Sequence, residues 1–279
     1  MITRPRFINV KGRLLDLSVP KVMGIINVTP DSFYTGSRYG TGKEIINAAT
    51  KMISEGADIL DIGGYSSRPG AGDITPLEEW DRVSAALGVI TREFPEAVLS
   101  IDTFRSEIAG RAVVEYGAAM INDISGGELD REMFSVVARL NVPYILMHMR
   151  GDPRTMQHNT EYDDVVADIL RWFAPKIVSL RAAGVKDIII DPGFGFSKTV
   201  SQNFEMLKRL REFSVAGLPV LAGLSRKTTV WKTLGVSAED ALNGTTVLNT
   251  AALLNGADIL RVHDVREAVE AVKLVSRLI

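Results

Sequence analysis

Largely apolar runs of six or seven residues recur eight times along the chain, each closing on polar or glycine-rich positions and each followed by a longer amphipathic stretch. The runs are VMGIIN (22–27), DILDIG (58–63), VLSIDT (98–103), AMINDI (119–124), YILMHM (144–149), DIIIDP (187–192), VLAGLS (220–225) and DILRVHD (258–264). Nearly continuous apolar runs of this length suit strands of a parallel sheet with both faces covered. Between them the apolar period is helical. Ile45, Ile46, Ala49, Met52, Ile53 and Ala57 form one stripe, Gly56 stands at a C-cap, and Thr41 is the expected cap at the start. Residues 161–184 and 203–217 repeat the pattern and close on Gly184 and Gly217, and a last stripe runs through Val265, Ala268, Val269, Val272 and Val275.

Eight strand–helix units in 279 residues predict an α/β fold, a (β/α)8 TIM barrel, as a single domain over 1–279. An open doubly wound sheet shares this periodicity, because periodicity carries no information on closure. Ahead of the first unit, FINVKGRLLDL (7–17) reads as a short β-hairpin turning at Lys11-Gly12. It is expected to plug the N-terminal end of the barrel.

Composition narrows the chemistry. With 46% hydrophobic and 24% charged residues and a net charge of −2, the chain reads as an ordinary globular protein. That balance points to neither nucleic acid nor a membrane as the main partner. The absence of cysteine excludes disulfides, thiolate nucleophiles and Cys-based zinc sites, and three histidines without HExxH give no zinc motif. The first residues carry no apolar signal core, so a cytoplasmic location is the expectation.

In a barrel of this kind the chemistry sits at the C-terminal ends of the strands. Asn27, Asp61, Asp102, Asn122, Asp123, His148 and Asp191 fall at six of those ends, Ser225, Arg226 and Lys227 at the seventh, and Arg261 and His263 on the eighth. Singly, each has a bland reading as a cap, a turn former or a bonded core residue. Together they suggest a ligand. Asp102, Asn122 and Asp191 suit a flat heterocycle with amino and lactam edges. Arg261 and His263, two apart and so on one side of a strand, resemble with Asn27 an anion site for phosphate or diphosphate. The alternative for Arg261 is a salt bridge to a rim carboxylate. Ser225 and Arg226 stand at a helix start where a carboxylate is expected to bind.

Two connections, 27–42 and 63–76, exceed ordinary βα loops, and the first carries Phe33, Tyr34 and Tyr39, a composition suited to a lid. DPGFGF (191–196) is glycine-rich without being GxGxxG, and GLSRKTTV (223–230) has no Walker spacing.

MGIINVTPDSF (23–33), DIGGYSSRPGA (61–71), SIDT (100–103), INDI (121–124), HM (148–149), DPGFGF (191–196), GLSRK (223–227) and RVHD (261–264), in this order, resemble the dihydropteroate synthase family. The resemblance implies a (β/α)8 barrel that joins 6-hydroxymethyl-7,8-dihydropterin diphosphate to 4-aminobenzoate, with magnesium, as a homodimer and sulfonamide target. It implies that Asp102, Asn122, Asp191 and Lys227 hold the pterin, with Met147 on the pocket wall. Asn27, Arg261 and His263 would hold the diphosphate, Asn27 touching the magnesium. Phe33, Ser67, Arg68, Pro69, Phe196 and Ser225 would shape the aminobenzoate site. The catalytic set would be Asn27, Asp102, Asp191, Lys227, Arg261 and His263. The sequence departs from the family at Tyr65, where a glutamate is usual, at Ser67 for threonine, and at Tyr34, Thr35 and Ser37, with no acidic residue near 35. Two rival readings are a methyltetrahydrofolate-binding module of a corrinoid methyltransferase system and an aldolase using Lys227 as a Schiff base.

Overall fold

The computed structural model describes residues 6–28, 38–66 and 72–278, with the side chains of 38–41 excepted. Phe33, Tyr34, Thr35, Ser37, Ser67, Arg68 and Pro69 therefore lie outside the described residues.

Strands β1 (Phe7–Val10) and β2 (Arg13–Asp16) form an antiparallel hairpin. Its turn residues, Lys11 and Gly12, both have positive φ, 53° and 77°, as a two-residue hairpin loop matched to strand twist requires. Eight parallel strands follow: β3 (Lys21–Asn27), β4 (Ile59–Gly63), β5 (Leu99–Asp102), β6 (Met120–Asp123), β7 (Tyr144–Met147), β8 (Ile188–Asp191), β9 (Leu221–Ala222) and β10 (Ile259–Val262). Helices alternate with them: α1 (Arg38–Glu55), α2 (Pro76–Glu93), α3 (Ser106–Tyr116), α4 (Met133–Leu140), α5 (Val165–Ala183), α6 (Val200–Lys208), α7 (Thr228–Leu234), α8 (Leu242–Leu254) and α9 (Val265–Val275). The sheet runs β8-β7-β6-β5-β4-β3-β10-β9. A parallel bridge from Ile190 to Val220 closes it, with the Ile190 N–H donating to the Pro219 carbonyl at 2.9 Å. The barrel, rather than the open sheet, is the fold.

Alternation along each strand sorts the side chains into two environments. Outward residues such as Ile26, Ile62, Ile101, Ile121, Leu146 and Ile190 pack on the helices in one continuous core with Ala49, Val83, Ile108, Phe173 and Val272. At about 1.5–3 kcal/mol for each fully buried large aliphatic side chain, this shell supplies most of the driving force for folding. Inward residues at the N-terminal end, Met23, Ile59, Met120, Ile145, Ile189, Leu221 and Ile259, form a second cluster with Ile8, Val10 and Leu17 of the hairpin region. The hairpin is the expected plug, and polar groups are pushed to the other end.

Two local expectations are corrected. Helix α1 begins at Arg38, so Thr41 lies within its first turn instead of capping it. Residues 203–217 do not form one helix. Arg209 (φ −102°, ψ 14°) ends α6, and a 3-10 helix over Leu210–Ala216 turns both Leu210 and Phe213 into the core before Gly217 (φ 64°) closes it. Among the described residues no helix is long and apolar enough to cross a membrane.

Candidate active site

The polar strand ends divide by the face they occupy. Asp61, Asp102, Asn122, Asp191, Arg261 and His263 are inward. Asp123 and His148 are outward, in the helical shell. Asp123 accepts from the Tyr144 hydroxyl at 2.6 Å, from the N–H and hydroxyl of Ser125 at 2.7 Å each, and from the Gly127 N–H at 2.8 Å. His148 packs edge-on against Trp172, ring centroids 4.9 Å apart. Each satisfies the bland reading.

At the centre, Arg261 spans the barrel. Its Nε donates to Asp61 Oδ2 at 2.6 Å and its terminal nitrogen to Asp102. The Asn122 Nδ2 donates to the same Asp61 oxygen at 3.0 Å. The salt-bridge reading of Arg261 thus holds in this structure, with two carboxylates as partners. Gly63 leaves room for this group, since a Cβ there would sit 3.3 Å from that of Asp102.

The DPGFGF segment is a turn that carries site residues. Asp191 accepts from the Gly193 N–H at 2.8 Å. Gly193 (φ +74°) brings the chain so close to β7 that a Cβ would lie 2.0 Å from the His148 carbonyl oxygen. No residue with a side chain fits. Lys227 donates to the Phe194 carbonyl and lies 4.6 Å from the Phe196 ring centroid. Lys198, which sequence reasoning passed over, clips the turn from behind. Its buried ammonium donates to the carbonyls of Gly193 (3.0 Å) and Phe196 (2.8 Å) and lies 3.0 Å from His148 Nδ1.

On the opposite side Ser225 Oγ lies 3.0 Å from His263 Nδ1 and accepts from the His263 N–H at 3.2 Å. Arg226, expected beside a carboxylate ligand, is paired within the protein. Its guanidinium pairs with both oxygens of Asp264 at 2.9 and 2.8 Å and donates to the Ala238 and Glu239 carbonyls. Four of its five N–H donors are thus engaged by the protein, although the residue borders the cavity. A positive φ of 53° at Arg226 turns the chain so that Lys227 enters the barrel.

These groups border a cavity of about 710 Å³ at the C-terminal mouth. Asn27, Asp102, Phe196, Ser225, Lys227, Arg261 and His263 line it. Asn122, Asp191 and Met147 are buried and are not among its lining residues; Asn122 and Asp191 are only 3% and 4% exposed. Met147 belongs to an apolar wall with Ile124, Met149 and Met156, against which Phe104 and Phe196 pack. Thr228, the first residue of α7, along with Gln157 and Trp231, also lines the cavity and was missed by sequence reasoning. Only the position of Thr228 directly after GLSRK hinted at it. Tyr65, the departure from the family pattern, faces the cavity and stacks edge-on with Phe104 at 5.0 Å.

Burial sets the electrostatics. It pushes the Asp102 carboxyl up to about 7, opposed by Arg261 and assisted by Asp61. It raises Asp191 against the pull of Lys227. It lowers Lys227 from 10.5 to about 8, although Asp191 favours its charge. The site is poised between charge states that a charged ligand would rebalance. Among the described residues no three His, Asp or Glu side chains cluster as a metal site.

The family described as pterin binding enzyme matches residues 23–263. The chain is 41% identical over 267 residues to the dihydropteroate synthase of Escherichia coli K12, covering 95% of this chain and 94% of that one. It is 40% identical over 260 residues to that of Synechocystis, covering 92% and 89% of the two chains. Among solved structures, a Yersinia pestis dihydropteroate synthase in complex with a sulfonamide drug superposes with a TM-score of 0.91 at 39% identity over 98% of both chains. The Xanthomonas albilineans synthase with 4-aminobenzoic acid gives 0.90 at 38%, again over 98% of both. With the barrel, the cavity and these likenesses together, the chain belongs to the pterin-binding enzymes and, within them, to the dihydropteroate synthases, transferases of folate synthesis.

Proposed function

We propose that this synthase joins 6-hydroxymethyl-7,8-dihydropterin diphosphate to 4-aminobenzoate, with residues 1–279 acting as one pterin-binding domain. The observation that carries the reading is the convergence of Asp102, Asn122 and Asp191 with the cations Lys227 and Arg261 inside one end of the barrel. The Asn122 amide nitrogen is engaged by Asp61, which leaves its oxygen for a ligand. Three acceptors suit the amino and ring N–H groups of a pterin edge, and the Lys227 ammonium suits a ring acceptor.

In the proposed reaction the bond from the pterin methylene carbon to diphosphate breaks first, and its electron pair leaves with the diphosphate. Asp102 and Asp191 favour the positive charge that develops on the ring, while Arg261, His263 and Asn27 hold the departing anion. The arylamine, already neutral and so nucleophilic without a protein base, then attacks the methylene carbon, and the proton of the resulting ammonium passes to water. Phe196, Ser225 and Thr228 line the cavity, and 4-aminobenzoate with its carboxylate would lie among them. Phe33, Ser67, Arg68 and Pro69 complete that site by resemblance. Sulfonamides, bound by the Yersinia relative, would compete there.

The Asn27 carboxamide borders the cavity without a cluster of acids beside it among the described residues. That donor set fits a magnesium ion arriving on the diphosphate, with one protein oxygen, rather than a resident ion. Asn27 would contact it, and the ion would supply positive charge to the leaving group. The proposal includes a homodimer through α7 and α8, where Leu234 and Val247 are 52% and 56% exposed; Val230, by contrast, is buried and serves the barrel.

Neither rival reading gains support. A methyl-carrying module needs no diphosphate site, and Lys227 is engaged by the Phe194 carbonyl and Phe196 ring rather than standing as a nucleophile. The test is release of diphosphate by the purified protein. Release that depends on both the pterin diphosphate and 4-aminobenzoate is expected. Release that ignores 4-aminobenzoate, or none at all, would overturn the reading.

A further inference from the structure

Asp61 lies on the inward face of β4, fully buried and away from the cavity lining. Its Oδ2 receives two donors, Asn122 Nδ2 from β6 and Arg261 Nε from β10. In the sheet order these two strands stand two places from β4 on either side. Ser100 is the register partner of Asp61 on the intervening β5. Both Asp61 Oδ1 and Ser100 Oγ are buried without a hydrogen-bond partner. A carboxylate kept only for stability would normally have its second oxygen satisfied.

We infer that Asp61 is a positioning residue for the transferase reaction, fixing Asn122 for the ring and Arg261 for the leaving group; the inference rests on the proposed pterin site. An ionised carboxylate only accepts, so it compels the Asn122 amide to turn its NH2 inward and its oxygen toward a ligand. The reverse orientation would set amide N–H groups against the N–H donors of a pterin. Arg261 is held at two points, Asp61 and Asp102. When the ring takes Asp102, Asp61 still anchors Nε, and the terminal nitrogens turn toward the diphosphate about that fixed point. Asp61 touches neither substrate and acts through both neighbours.

The test compares wild type with Asp61→Asn, using steady-state kinetics together with equilibrium binding of 6-hydroxymethylpterin and of inorganic diphosphate. The KM for the pterin diphosphate is expected to rise about ten-fold or more, as when a charge-assisted hydrogen bond is lost, with both probes binding correspondingly weaker. The KM for 4-aminobenzoate should stay within about two-fold, a split that a purely structural role does not produce. In an Asn122→Ala background, adding Asp61→Asn should cause a smaller further loss of 6-hydroxymethylpterin affinity than in wild type. Should Asp61→Asn not fold, Asp61→Ser is the second variant, with the same expectation. Failure of both to fold, or unchanged probe binding in a folded variant, overturns the inference while leaving the reaction intact. A wild type that binds no 6-hydroxymethylpterin overturns the pterin site and this inference with it.

Discussion

The interior of the barrel mouth and the helical shell behind it hold similar buried polar residues, yet they satisfy them differently. In the shell, Asp123 is met by Tyr144, Ser125 and Gly127, and Lys198 by the Gly193 and Phe196 carbonyls and His148. Inside, Asp61, Asp102, Asn122 and Arg261 are paired with one another, and Asp61 Oδ1 and Ser100 Oγ are left over. A network closed by backbone and hydroxyl partners is rigid and structural. A network of ionic groups bonded to one another can exchange a partner for a ligand at little net penalty. Burial of a polar group is thus not by itself the mark of a site.

Substitutions on the two sides should separate cleanly. The largest effect is expected inside. Asp191→Asn should lower turnover roughly a thousand-fold by removing charge stabilisation of the ring, with the fold retained by circular dichroism; wild-type kinetics would remove Asp191 from the mechanism. Next, Arg261→Ala should weaken inorganic diphosphate as an inhibitor by about ten-fold or more, and an unchanged inhibition constant would argue that Arg261 serves only its two carboxylates. In the shell, Tyr144→Phe leaves a buried carboxylate one donor short. It should lower stability by about 1–3 kcal/mol in denaturant titration and leave kcat and KM unchanged; a kinetic effect would blur the boundary.

The smallest effect concerns pH. Lys227 falls from 10.5 to about 8 on burial, so the unfolded chain binds more protons between those values and stability rises as pH climbs from about 8 to 10.5. Below about 8 the unfavourable burial of the charge is fully present. Lys227→Met should therefore raise stability at pH 7 by about 1–2 kcal/mol while damaging activity, and flatten the rise above pH 8. A variant less stable than wild type at pH 7 would mean that the carbonyl and ring contacts of Lys227 outweigh its desolvation.

Much of this was legible in the sequence because it rests on period. The eight runs, the plug turning at Lys11-Gly12 and the closing glycines Gly56, Gly184 and Gly217 are all local patterns, and each is found. What escaped is long-range. Closure depends on one bridge between Ile190 and Val220. Arg226 looked like a ligand group because its partner, Asp264, lies 38 residues away. Asn122 and Asp123 were equally plausible until one strand face was known, after which alternation sends one inward and the other into the shell. Asn122 and Asp191 share the inward face with Asp102, as the period implies, whereas the pairing of Arg261 with Asp61 and Asp102 spans 200 and 159 residues and leaves no local pattern. The two long loops, where the sequence departs from its family, fall largely outside the described residues.

The most direct measurement is a crystal structure of the protein with a bound 6-hydroxymethylpterin diphosphate analogue. The ring edge is expected within hydrogen-bond distance of Asp102, the Asn122 oxygen and Asp191, with Arg261 detached from Asp102 and turned to the phosphates. A ring held elsewhere in the cavity, with Arg261 still locked on Asp102, would contradict the account.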